Sequence, residues 1–384
     1  MNLVEAFLEH AEARPDAPAL IGPDGRVITY ADLARLSAAR AAAFARAGIG
    51  VGDVVLIARG VSPDLYAALL AVFRLGAVAM FPEPAAGLKG LAIAIDAARP
   101  KALVAGPKAR ALRPFTSLRR LPVLPEPPGG GRAAGPLAAT SADTPALITF
   151  TSGSTARPKG IVRTAGFLRL QHEIIETLRR TEPGHVDLIS LPVFILSNLL
   201  AGAASVIPAG NLRRPAALRG AALRAQMARH AVNRVLAPPA VCARLVDGGA
   251  TLPGVEAVFT GGGPVFPNLL HALKRAARQA AIHAAYGSTE AEPIAHVEYD
   301  QITDADWAGM SSGSGLLAGL PVPEIRAEIR NHEIQVSGPH VNGGYLDPAD
   351  DATTKVNRDG RLWHRTGDAG RFDEHGRLWL LGRR

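Results

Sequence analysis

The stretch Thr151–Gly160 reads TSGSTARPKG and stands between an apolar run, Ala146–Thr149, and a helical pattern over Ala165–Leu178. Two glycines, four hydroxyls and one lysine in ten residues make a loop dense in donors. Backbone N–H groups, hydroxyls and a cation together can wrap phosphate oxygens. The spacing is not that of the Walker loop, G-x-x-x-x-G-K-[ST]. On composition alone an ordinary Ser/Gly surface loop fits as well. Strand, donor-rich loop and helix in succession suggest an α/β unit, and the flanks test that.

On the N-terminal side, strands are expected at Val27–Tyr30, Val54–Ala58, Ala77–Phe81 and Ala102–Val104. Helices are expected at 5–14, 31–47, 62–75 and 89–98. Continuous apolar runs such as Val54–Ala58 suit strands covered on both faces, and alternation with helices argues a doubly wound parallel sheet. Residues 121–145, rich in Pro, Gly and Ala, read as a loop or linker. Beyond the donor-rich loop, strands are expected at 186–190, 205–207, 234–236, 257–260 and 281–284, with helices at 219–230, 238–246 and 267–279. After about residue 315 only short strands between Gly, Asp, Asn and Pro turns are legible, at 325–329, 332–336, 361–364 and 378–381. The expected organisation is therefore two doubly wound α/β subdomains, 1–180 and 181–314, and a small β-rich subdomain of distorted-barrel type, 315–384.

Composition narrows the function. The 384 residues are 48% apolar and 20% charged, as in ordinary globular chains, and carry a single cysteine, Cys242. One cysteine excludes an internal disulfide and any cysteine-built zinc site. The net charge of +8 comes from 36 Arg and 6 Lys, with aromatics at 5%. Arginines spread through Ala-rich helices, without stacking aromatics, do not make a nucleic-acid surface; attraction of small anions is the better use of the charge. Residues 1–20 carry no basic start followed by an apolar run. The apolar stretch Tyr66–Pro82 is interrupted by Arg74 and is shorter than the about 20 residues of a spanning helix. A cytoplasmic protein without a transmembrane segment is expected.

The loop 151–160 resembles the phosphate loop of the adenylate-forming superfamily: acyl-CoA synthetases, peptide-synthetase adenylation domains and luciferases. Ala156 departs, standing where that loop usually has Gly. Further segments resemble the family's motifs in the family's order: ITYADLARLSAARAAAF (28–44), LLAVFRLGAVAMFPEP (69–84), GGGPV (261–265), AYGSTE (285–290), EIQVSGPHVNGGYLDP (333–348) and HRTGDAGRFDEHGRLWLLGRR (364–384).

The resemblance implies a reaction and a set of roles. A carboxylate attacks the α-phosphorus of ATP and expels pyrophosphate, so cations and donors must surround developing charge. Thr151, Ser152, Gly153, Ser154, Thr155 and Lys159 would hold the β- and γ-phosphates. Glu290, with Thr151, would hold Mg²⁺, a hard cation that takes oxygen ligands; Thr151, Lys159 and Glu290 are the implied catalytic set. Tyr286 would lie along the adenine, with Gly262 and Gly263 admitting the base and Gly287, Ser288 and Thr289 completing the nucleotide segment. Asp368 would accept from the ribose hydroxyls, and Arg383 would reach the ribose or phosphate side. The family also carries a mobile C-terminal domain of about a hundred residues, whose lysine reaches the reacting carboxylate. This chain stops at Arg384, and that domain is expected to be absent from it, leaving a weakly active core.

The substrate is read from PVFILS, 192–197, the nearest match to the F-D-x-S segment of amino-acid-activating members. Phe194 and Ser197 fit, but Ile195 replaces the Asp that pairs with an ammonium. An ammonium facing Ile would be buried unpaired. Phe194, Ile195, Ser197 and Gly261 are the candidate acyl-pocket residues. SLPVFILSNLLAGAASVIP and YGSTEAEPIA resemble the branch that closes β-hydroxy acids to β-lactones. A fatty acyl or β-hydroxyacyl substrate is expected, with CoA, a carrier protein or the substrate's own hydroxyl as acceptor. A non-catalytic nucleotide- or acyl-binding module and an amino-acid adenylation domain are the alternatives.

Overall fold

The computed structural model describes residues 2–127, 135–152 and 157–384. Two sheets organise them. The smaller has the order Ala102–Ala105, Val54–Ala58, Val78–Phe81, Pro145–Ser152, Pro158–Thr164. Its first four strands are parallel and the last is antiparallel. Helix Pro63–Arg74 starts cleanly because Ser62 accepts from the Leu65 amide and Pro63 lacks the N–H that would go unpaired there. Nearly all of that helix is buried, which explains why its sequence is apolar all round. Helix Tyr30–Arg46 begins with Thr29 accepting from the Asp32 amide and packs alongside it.

The larger sheet has fourteen strands among the described residues. Its parallel part runs Pro18–Ile21, Ala204–Val206, Val186–Ile189, Arg234–Ala237, Ala257–Gly261, Ala281–Ser288. The N-terminal strand Pro18–Ile21 thus belongs to this sheet, although helix Pro63–Arg74 after it packs on the smaller one. At Ala291–Glu298 the sheet turns antiparallel and continues through Leu316–Pro321, Leu378–Arg383, Arg361–Phe372, Glu333–Ser337 and Arg326–Arg330.

The mixed α/β fold with parallel sheets expected from the sequence is present, but two local expectations are corrected. The donor-rich loop does not lead directly into a helix. Strand Pro158–Thr164 intervenes and pairs back on Pro145–Ser152 before helix Ala165–Arg179 begins. Its Ile161, Val162 and Thr164 are β-branched, which suits an extended strand, and its backbone pairs with Pro145–Ser152. The stretch Pro192–Ala201 is a helix, opened by Pro at its first position and closed by left-handed Gly202 (φ 79°). The β-rich C-terminal part forms no closed barrel among the described residues; strand pairing carries it on from the large sheet.

Candidate functional site

Backbone pairing sets the first group of side chains. Asp368 lies opposite Arg383 in the antiparallel pair formed by Arg361–Phe372 and Leu378–Arg383. Arg383 Nη1 donates to Asp368 Oδ1 at 2.9 Å, and the Tyr286 hydroxyl donates to Oδ2 at 2.8 Å. Burial, with the Asp368 charge adding to it, pushes the Tyr286 phenol far above its ordinary value, so it remains a donor. A carboxylate has about four acceptor sites, so Asp368 can hold both partners and still accept from paired hydroxyls. Tyr286 reaches it from the parallel part of the sheet, joining two regions far apart in sequence.

Glycines border this group. Gly261 lies opposite Ala285 across a parallel strand pair, and a Cβ there would sit 2.5 Å from the Ala285 carbonyl oxygen. Gly262 has φ 73°, a left-handed conformation. Around Gly263, among the described residues, only Pro239 comes within 4 Å of where a Cβ would be, and Gly287 approaches the Ala291 carbonyl closely. The Ser288 hydroxyl is buried without a hydrogen-bond partner among the described residues, an orphan suited to a ligand oxygen. The Thr289 carbonyl accepts from buried Arg163, whose other nitrogen donates to Thr149 at 2.8 Å.

A second group surrounds Glu290. Thr151 and Lys159 are cross-strand partners at the mouth of the hairpin. Glu290 Oε1 accepts from the Tyr345 hydroxyl at 2.8 Å, and the Glu290 carbonyl accepts from the Asn342 amide at 2.7 Å. Lys159 and Lys355 place their ammonium groups 5.2 and 5.7 Å from the centroid of the Tyr345 ring. Lys355 also donates to the Asn342 carbonyl. Burial pushes Lys355 down to about 8, and burial together with the Lys355 charge pushes His364 down to about 4. Gly153, Ser154 and Thr155 lie outside the described residues, as does the side chain of Ser152.

Among the described residues no group of three or more His, Cys, Asp or Glu is arranged to hold a metal ion. Mg²⁺ is commonly bound by one or two carboxylates completed by substrate phosphates and water. Glu290 and the Thr151 hydroxyl are hard oxygen donors of that kind and would hold it, and the ion would neutralise phosphate charge.

The third group is on helix Pro192–Ala201. Ile195 is completely buried in the core cluster that includes Ile189, Leu199 and Leu236. Phe194 is half-buried, with the Arg179 guanidinium 5.8 Å from its ring centroid. The Ser197 hydroxyl donates to Glu176 at 3.0 Å and lies 2.8 Å from His172 Nδ1; burial holds that imidazole below its ordinary value. Behind them, buried Asp187 receives Arg179 and Arg234 at 2.7 Å each, and also Asn198. Gly261 is elsewhere: its strand lies two places from Val186–Ile189, the strand that leads to this helix. Sequence reading missed His172, Glu176, Arg163, Tyr345 and Lys355. The signal that points to Tyr345 is its place in the family-like segment 333–348.

Among the described residues no helix is long and apolar enough to cross a membrane. The family model "AMP-binding enzyme" matches residues 7–346. An olefin β-lactone synthetase of Xanthomonas campestris is 31% identical over an alignment spanning all of this chain and 78% of that protein. Phenyloxazoline synthase MbtB of Mycobacterium tuberculosis is 29% identical over 99% of this chain and 28% of its own length. Among solved structures, the N-terminal subdomain of Klebsiella oxytoca NpsA, in complex with 3-hydroxyanthranilyl-AMSN, aligns along the whole of both chains with a TM-score of 0.81 and 25% identity. With the family model spanning most of its length, the chain belongs to the AMP-binding enzymes, the adenylate-forming ligases.

Proposed function

We propose that the chain binds ATP·Mg²⁺ and activates a fatty acyl or β-hydroxyacyl carboxylic acid as an acyl adenylate, releasing pyrophosphate. Asp368, Arg383 and Tyr286 take the ribose side and Gly262 and Gly263 the base. Thr151, Lys159 and Glu290 take the phosphates and the metal. The observation that carries the reading is the joining of Tyr286, Asp368 and Arg383, which leaves a carboxylate with free lone pairs; the orphaned Ser288 hydroxyl follows Tyr286 by two residues in the chain. For the fate of the adenylate we favour closure by the substrate's own β-hydroxyl. The oxygen attacks the acyl carbon, AMP leaves, and the hydroxyl proton is lost to solvent or base. The β-lactone synthetase relatives support this outcome. Transfer to CoA or a carrier-protein thiol is the second reading, consistent with the adenylation relatives. The setting we infer is the cytoplasm, which supplies ATP.

The test is product analysis with the native protein, ATP, Mg²⁺ and matched fatty, β-hydroxy and α-amino acids, with and without CoA. Pyrophosphate release with the β-hydroxy acid and a product lighter than the acid by one water, formed without CoA, is expected. Best activation of the α-amino acid would sink the acyl reading. No pyrophosphate with any acid, alongside retained ATP binding, would favour a binding module. In calorimetry Asp368→Ala should weaken nucleotide binding, each charge-assisted hydrogen bond being worth about 1.5–3 kcal/mol.

A further inference from the structure

Tyr345 has been given no role so far, yet it joins two parts of the site. Its backbone bridges to Ile161, and the next amide, Leu346, donates to the Gly160 carbonyl at 2.7 Å, so it is fastened to the base of the phosphate hairpin. Its own amide donates to Asp351 at 2.9 Å, and the side chain is almost completely buried. The hydroxyl donates to Glu290 Oε1, and the ring lies under the Lys159 ammonium.

Lys159 comes from a strand of the smaller sheet and Glu290 from the turn between two strands of the larger, and both have long side chains. Left alone, each would spread over several rotamers, and a cation and a phosphate held a few ångströms apart need both groups fixed. A charge-assisted hydrogen bond fixes one, and an ammonium held over an aromatic face is fixed more weakly. We propose that Tyr345 is a positioning residue for the nucleotide site: its hydroxyl orients the Glu290 carboxylate for a divalent cation, and its ring orients the Lys159 ammonium for phosphate. This rests on the ATP·Mg²⁺ reading above.

The two functions separate by substitution, since Tyr345→Phe removes the hydroxyl and keeps the ring, whereas Tyr345→Leu removes both. ATP binding is measured by calorimetry in Mg²⁺ and in EDTA, and Mn²⁺ binding to the protein–ATP complex by electron paramagnetic resonance. No turnover is needed. Tyr345→Phe should bind ATP in EDTA as the wild type does, but lose about tenfold of the gain that Mg²⁺ gives, with a matching loss in Mn²⁺ affinity. Tyr345→Leu should lose roughly a further two- to fivefold in EDTA. If Tyr345→Phe keeps the whole metal-dependent gain, or if both variants lose affinity in parallel with thermal stability, the proposal falls. Wild-type protein that does not bind ATP·Mg²⁺ at all would remove the underlying reading instead. If Tyr345→Leu fails to fold, the Phe variant alone decides.

Discussion

Lys355 is a cation held mostly out of water, and its chemistry predicts a pH effect. Burial lowers it from an ordinary 10.5 to about 8, with Glu290 and Asp351 opposing the shift. Between those values the unfolded chain binds more protons than the folded one, so stability rises with pH through that window. Below about 8 both states are charged and the full cost, roughly 3 kcal/mol, is present. Lys355→Met should therefore stabilise the protein at pH 7 and lose its advantage as pH approaches 10. Chemical denaturation at the two pH values checks this; an equal difference at both would contradict it. Ile195 gives a second prediction. Completely buried among core residues, it makes Ile195→Asp a folding lesion, costing several kcal/mol as a lone carboxylate enters an apolar interior. Thermal denaturation without any substrate should already show the loss. These two residues mark the limit of sequence reading. Asp368, Tyr286 and Glu290 are nominated from sequence because each sits in a short motif. Neither Lys355 nor Tyr345 takes a role from the sequence, because Glu290, which both approach, is distant in the chain.

At the scale of elements, the regular α/β alternation was legible because parallel strands such as Val54–Ala58 are apolar throughout and their helices are amphipathic or buried. The hairpin strand Pro158–Thr164 was not, since Pro158, Lys159 and Gly160 disguise it as loop. Helix Pro192–Ala201 went unassigned because it is apolar on every side and shows no period. What anchors that helix is polar. Asp187 lies between Arg179 and Arg234 and also holds Asn198, tying helix Ala165–Arg179, two strands and helix Pro192–Ala201 together. Burial alone would raise the Asp187 carboxyl, but the Arg234 hydrogen bonds and the two guanidinium charges hold it below the usual carboxylate range. Asp187→Asn should leave two buried guanidiniums undercompensated and cost about 3–5 kcal/mol. Equilibrium unfolding measures it; a cost under about 1 kcal/mol, as at an exposed pair, would show that water reaches the network.

At the scale of the whole molecule, the proposed nucleotide site lies on a seam. The hairpin carrying Thr151 and Lys159 belongs to the smaller sheet, while Tyr286, Glu290, Asp368 and Arg383 stand on or beside the larger one. The seam is held by the Ile161–Tyr345 bridge, the Leu346–Gly160 hydrogen bond, Arg163 on the Thr289 carbonyl and the exposed Arg157–Asp347 pair at 2.5 Å. A ligand that touches both sides adds a tie across it, whereas a ligand that touches one side does not. ATP would bridge, with ribose at Asp368 and phosphates at the hairpin. Adenosine would meet only the first side, and pyrophosphate with Mg²⁺ chiefly the hairpin and Glu290. Ligand binding stabilises by RT ln(1 + [L]/Kd), about 2.7 kcal/mol at a hundredfold excess over Kd. At one fixed concentration ATP·Mg²⁺ should therefore raise the melting temperature more than adenosine and Mg²⁺-pyrophosphate do together, because joining the fragments saves the cost of ordering the second. Asp368→Ala should erase the adenosine shift and spare the pyrophosphate shift, and Lys159→Met should do the reverse. Thermal melts of the three proteins with the three ligands give the answer. An ATP shift no larger than that of adenosine would mean that the hairpin does not hold the phosphates.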